Sequence, residues 1–120
     1  MAIVGLDHIQ IAIPENEEEK ARGFYRDLLG LLEVTKPANL SPNGCWFACG
    51  MLGLHLGVDP DFKPSKKSHP AFLVDDLRVV EKALRAAGYP IVDGKPIAGS
   101  HRTFTQDPFG NRIELMQSLS

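Results

Sequence analysis

Asp107-Pro108-Phe109-Gly110-Asn111-Arg112-Ile113-Glu114-Leu115-Met116 reads as a tight turn running into a strand. Pro presets φ at the first corner and Gly takes the positive-φ position, so the chain reverses before Arg112. Beyond the turn the residues alternate: Ile113 and Leu115 point one way, and Arg112, Glu114 and Met116 the other. Glu114 therefore stands mid-strand, where a carboxylate needs a cation, a metal ion or a proton. Arg102 or Arg112 can pair with it, and a metal would make it a ligand.

Outward from this strand, residues 102–106 form its hairpin partner, and 94–100 is a Gly/Pro loop. Further back lie a strand at 69–74 and a helix capped by Asp75 or Asp76, with Leu77, Val80, Leu84 and Ala87 inward and Gly88 as its stop. A strand at 89–93 completes this half. The same order occurs earlier. Residues 6–13 alternate as a strand with Ile9, Ile11 and Ile13 on one face and His8, Gln10 and Ala12 on the other. Asn16 can cap a helix carrying Glu17, Glu18 and Glu19 in its first turn and Ala21, Phe24, Tyr25, Leu28 and Leu29 at helical spacing, stopped by Gly30. A strand at 31–36, a loop at 37–44 and a hairpin of 45–49 with 52–58 follow. The chain is thus strand-helix-strand-strand-strand written twice, with equivalent positions 58 to 61 residues apart: His8 and His69, Gly30 and Gly88, His55 and Glu114. This predicts an α+β fold of two βαβββ modules, 1–58 and 69–120, in a single domain spanning 1–120, joined by a polar Pro/Lys-rich linker at 59–68.

If the two copies pack about a pseudo-twofold axis, His8 meets His69 and His55 meets Glu114. Three imidazoles and a carboxylate suit Zn, Ni, Co, Mn or Fe(II). Four such ligands on an octahedral ion leave two positions open; two His and one Glu leave three, as in Fe(II) oxygenases. Gly53 and Gly57 flank His55 on its own face, and Ala12 and Ala71 are small, which leaves room for a ligand. Gln10, Arg102 and Phe104 are candidate substrate contacts. Each histidine taken singly is a surface or hydrogen-bonded residue; the symmetry is what singles out the set. His101 falls outside it. Lys63, Lys66 and Lys67 form a solvated loop or meet an anionic substrate.

With 120 residues, 43% of them hydrophobic and 23% charged, the chain has the composition of one globular domain. A net charge of -2 makes no electrostatic case for nucleic acid or a membrane surface. No apolar run approaches the roughly 20 residues a bilayer needs, and residues 1–14 lack a signal peptide's basic start and cleavage site. Cys45 and Cys49 are about 13 Å apart along a strand, too far for a disulfide, so the expected compartment is the cytoplasm.

The segments Leu6-Asp7-His8-Ile9, Phe24-Tyr25-Arg26-Asp27-Leu28-Leu29-Gly30, His69 before its strand, and Asp107 to Leu115 resemble the vicinal oxygen chelate superfamily of glyoxalases, bleomycin-resistance proteins and extradiol dioxygenases. The resemblance runs over nearly the whole chain. It implies a curved mixed sheet around a central cavity with a divalent metal, and in small members a homodimer with sites at the interface. His8, His69 and Glu114 match the family's three recurrent ligand positions, and His55 the fourth position of glyoxalase I and methylmalonyl-CoA epimerase. Three activities are implied. One is a metal-dependent isomerase or lyase of glyoxalase type on a small oxygen-chelating substrate, with Glu114 shuttling a carbon-bound proton. Another is a non-haem Fe(II) extradiol-type dioxygenase with His55 as acid/base; its Tyr position is held here by Phe104. The third is a non-catalytic drug- or metabolite-binding protein. Where glyoxalase I holds the carboxylate of glutathione with an Arg, this chain has Ala12.

Overall fold

The repeat in the sequence is a repeat of structure. The computed structural model describes residues 1–119. In chain order these form β1 (His8–Ile13), α1 (Glu18–Arg22, continuing as π-helical turns over Gly23–Leu28), β2 (Leu32–Val34), β3 (Cys45–Cys49), β4 (Leu52–Val58), β5 (Ala71–Leu73), α2 (Leu77–Ala86), β6 (Val92–Asp93), β7 (Ser100–Gln106) and β8 (Arg112–Ser118). Two four-stranded mixed sheets result, with strand orders β1-β4-β3-β2 and β5-β8-β7-β6. In each, the first pair is parallel and the others antiparallel. The chain divides into two compact units, one ending at Lys63 and the other starting at Pro64.

In the first unit the apolar face of the sheet meets α1. Ile11 and Ile13 of β1, Phe47 of β3 and Leu54 and Leu56 of β4 are buried, with Phe24 and Tyr25 from the helix. Tyr25 stands edge-on to Phe24 at 4.9 Å and 6.3 Å from Phe47. Each such side chain contributes roughly 1.5–3 kcal/mol by leaving water. Glu18 accepts a hydrogen bond from the Gly44 N–H at 3.0 Å, which ties the loop before β3 to the helix. Gly44 has φ +87, and any Cβ there would run into the Leu56 carbonyl. The Gly44 N–H is also the main reason the Glu18 carboxyl lies below its ordinary value of 4.5. A carboxylate so held adds stability above its unfolded pKa and loses it as pH falls through the folded one. Glu18→Gln is therefore expected to be less stable than the parent at neutral pH and equal to it in acid, as read by urea unfolding across pH.

In the second unit α2 lies on β8. Asp76 caps the helix, accepting from the Arg78 and Val79 N–H groups at 3.1 and 3.3 Å, and the Gln117 side chain accepts from the Leu77 N–H at 2.8 Å. Leu77 and Leu84 of the helix and Ile113 and Leu115 of β8 are buried. The turn before β8 is built around buried Asp107. Its Oδ1 accepts from the Phe109 and Asn111 N–H groups at 2.9 Å each, and its Oδ2 from Asn111 Nδ2 at 2.8 Å. Asn111 Oδ1 accepts from the Ser65 N–H at 2.9 Å, and the Arg112 N–H donates to the Ser65 carbonyl at 2.8 Å. Gly110 takes φ +92, as the turn reading requires.

Several expectations change. Asn16 does not cap α1; it occupies a left-handed turn at φ 61, and Glu17 precedes the helix without a side-chain cap. The helix loosens into π turns from Gly23, which keeps Phe24 and Tyr25 inward but leaves Leu28 and Leu29 only half-buried. β2 and β6 shrink to short edge strands. His69 lies before β5, because Pro70 has no N–H to donate to a ladder. Ala87, expected in the core of α2, is exposed at its C-cap. Among the described residues no helix is long and apolar enough to cross a membrane.

Candidate metal centre

The candidate ligands occur in two pairs, one in each unit. In the first, register sets Gln10 of β1 opposite His55 of β4, and His8 opposite Gly53. The His8 and His55 rings stack at 4.1 Å, and the far face of His55 stacks on Trp46 of β3 at 3.8 Å with the planes 3° from parallel. His55 is buried and His8 is exposed. Burial, followed by the neighbouring His8, pushes the His55 pKa down from 6.5, so the neutral ring with its lone pair is favoured. His8 Nδ1 lies 2.8 Å from Asp7 Oδ2. A carboxylate accepts, which assigns the hydrogen to Nδ1 and leaves Nε2 for a metal.

Gly53 and Gly57 do not open the empty space expected of them. A Cβ on Gly53 would sit 3.0 Å from His55 Nε2 and 3.3 Å from His8 Cβ, and one on Gly57 would strike the Gln10 amide at 2.7 Å. The glycines make room for the candidate side chains themselves. Gly53→Ala is expected to disturb the ring stack at a cost of about 1–3 kcal/mol. Trp46 is the sole tryptophan of the chain, so its emission reports the change directly.

In the second unit Glu114 is buried in β8, opposite Phe104 of β7 and Ala71 of β5. Its Oε1 meets His69 Nε2 at 2.8 Å, and Arg102 donates from a terminal nitrogen to Oε2 at 3.3 Å. Of the two arginines that could pair with Glu114, Arg102 does so. Its Nε also donates to the Lys95 carbonyl at 3.0 Å. His69 Nδ1 is 3.0 Å from the Lys67 carbonyl and must donate to it. The His69 ring stands edge-on to Phe104 at 5.4 Å. His69, Arg102 and Phe104 line a cavity of about 1090 Å³ in this unit.

The donor chemistry fits a divalent cation. An imidazole whose Nδ1 is tied to a backbone carbonyl is oriented as metal-ligating histidines are, and His69 and Glu114 would offer a divalent cation one nitrogen and one carboxylate donor. Among the described residues, however, no three His, Cys, Asp or Glu side chains are grouped to hold one ion. The structure brings His8 to His55 and His69 to Glu114. His101 is exposed and takes no part. Both cysteines are free thiols, raised by burial. Trp46 and Asp7 are site neighbours that the sequence reading missed, and Arg112, expected as a partner of Glu114, lies over Phe104 instead. The repeat offset pairing Trp46 with Phe104 was the available signal for the first; nothing local singled out Asp7.

A family model described as Glyoxalase/Bleomycin resistance protein/Dioxygenase superfamily matches residues 5–115. Glyoxylase I 4 of Arabidopsis thaliana is 27% identical over 124 residues, which cover 94% of this chain and 70% of that protein. A crystal structure from Bacillus anthracis, described as of the glyoxalase family, is 40% identical with a TM-score of 0.90 over 98% of each chain. The fold is shared with a variant of the Listeria monocytogenes fosfomycin resistance protein FosX complexed with Mn(II) and 1S,2S-dihydroxypropylphosphonic acid, at 16% identity and a TM-score of 0.80 over 98% of this chain and 94% of that one.

Proposed function

This chain belongs to the Glyoxalase/Bleomycin resistance protein/Dioxygenase superfamily, and from that membership we propose that it is a glyoxalase-like, divalent-metal-dependent isomerase or lyase of a small oxygen-chelating substrate. The observation that carries the reading is the buried Glu114 held 2.8 Å from His69 Nε2, with the other ring nitrogen anchored on the Lys67 carbonyl. His8, His55, His69 and Glu114 form the proposed ligand set. The proposed working state is a homodimer with sites at the interface, in the cytoplasm, where the two free thiols are at home. The Mn(II) bound by FosX supports a divalent ion of the Zn, Ni, Co, Mn or Fe(II) group.

A bound ion supplies Lewis acidity toward the substrate's oxygens. The protein's part is to bind, orient and move a proton. Glu114 accepts a carbon-bound proton at a carboxylate oxygen and returns it at the neighbouring carbon. Arg102, 3.3 Å from Oε2, holds the carboxylate in place and balances its charge before it takes the proton and after it returns it. His55 stays neutral and rigid between His8 and Trp46. Phe104 and Gln10 are the proposed apolar and polar substrate contacts.

The test is the metal content of protein purified without a His-tag, followed by assays on 2-oxo and thioester compounds before and after chelation. Near-stoichiometric Ni, Co, Zn or Mn, with turnover that chelation abolishes, is the expected result. Fe(II) with O₂ uptake on a catechol would replace the isomerase by a dioxygenase using His55 as acid/base. Tight ligand binding indifferent to chelator, with no metal bound, would leave a drug- or metabolite-binding protein.

A further inference from the structure

We infer that the cavity in the second unit is an oxyanion-binding pocket whose receiving group is Arg112, so that the substrate carries a carboxylate or phosphate besides its chelating oxygens. The whole chain has a net charge of -2, yet the walls of this cavity carry Lys66, Lys67, Lys95, Arg102 and Arg112 against the single carboxylate of Asp93. Glu114 pairs with Arg102, and concentrating the other four like charges around a concavity costs energy that an anionic occupant relieves.

The two arginines are not equivalent. Arg102 is engaged by Glu114 and the Lys95 carbonyl. Arg112 lies over the Phe104 ring, its guanidinium carbon 4.0 Å from the centroid, and among the described residues it joins no ion pair. A guanidinium stacked on a ring keeps its planar edge of N–H donors for a bidentate partner, which a carboxylate or phosphate supplies. The lysines do not sit on a loose loop. The backbone of Arg112 donates to Ser65 and the Asn111 side chain accepts from it, so Lys66 and Lys67 are held beside Arg112 by the same buried turn that starts β8.

This deepens the isomerase reading by naming the charge class of its substrate. The test is run on full-length protein both as purified and after chelation, so the pocket and the metal reading fail separately. Inorganic phosphate and malonate are titrated in turn at constant ionic strength, following backbone amide and arginine Nε–H resonances. Saturable binding is expected, with the largest shifts at Arg112 and Phe104. Arg112→Gln is expected to weaken it roughly tenfold or more and Arg112→Lys by less, since the lysine keeps the charge without the fork. Lys82→Gln, at an exposed position of α2, should bind as the parent does. A preference for phosphate over malonate, or the reverse, sorts a phosphorylated from a carboxylated substrate. No saturation by either anion, shifts that avoid Arg112, or equal affinity in Arg112→Gln would each overturn the pocket. If Arg112→Gln fails to fold, the shift pattern of the parent and the affinity of Arg112→Lys still decide.

Discussion

Replacing Glu114 or His69 with Ala is expected to lower divalent-metal affinity more than about 100-fold, while His101→Ala leaves it unchanged. Removing only an outer partner of a ligand already costs 10–100-fold, and these two residues are proposed as ligands themselves. They are also mutual partners at 2.8 Å, so losing either leaves the other misdirected. Glu114→Ala further frees Arg102, which would then hold a positive charge against the arriving cation. His101 is a control of the same residue type, exposed on β7 and outside both pairs. Competition against a chromophoric chelator reads all three. Equal affinities would sink the ligand assignment, whatever the enzyme assays give. Glu114→Gln separates the carboxylate's charge from its bulk, and should lose metal while keeping the packing of β8.

Asp107→Ala is the substitution expected to cost most in stability without touching a proposed ligand, about 3–5 kcal/mol. Its carboxylate accepts from two backbone N–H groups and from the Asn111 amide in a buried turn. Each donor left unsatisfied costs roughly 1–3 kcal/mol. The loss would spread, because Asn111 also receives the Ser65 N–H that fixes the loop carrying Lys66 and Lys67. Asp107→Asn, which retains one acceptor oxygen, should lose less. Urea midpoints at constant m-value give the comparison, and a cost for Asp107→Ala below about 1 kcal/mol would mean that water replaces the carboxylate's bonds.

The same turn shows how far the primary structure could be read. Asp-Pro-Phe-Gly-Asn followed by alternating residues identified β8, the φ of Gly110 and the shared face of Ile113 and Leu115, because turn chemistry and strand period are local rules. The doubled element order was legible for the same reason. Asn16 was misread because a short polar residue serves a left-handed turn as well as an N-cap, and only the neighbouring backbone chooses between them. The ends of β2 and β6 were misread because an edge strand lasts only as long as its partner supplies hydrogen bonds.

For the site, the residue types and repeat positions singled out His8, His55, His69 and Glu114, and their donor chemistry named a divalent metal. Which arginine pairs with Glu114 was open, since Arg102 and Arg112 both stand within reach in sequence. Register decided it. On β7, Arg102 lies opposite Met116, one step diagonally from Glu114, whereas Arg112 turns onto Phe104. Likewise Gly53 and Gly57 marked missing side chains, and only the folded sheet shows that the rings of His8 and His55 and the amide of Gln10 take that space. Element identity and candidate chemistry thus followed from short-range order along the chain. Pairing, stacking and the charge of the cavity are relations between residues distant in sequence, and they came into being only when the strands were laid in register.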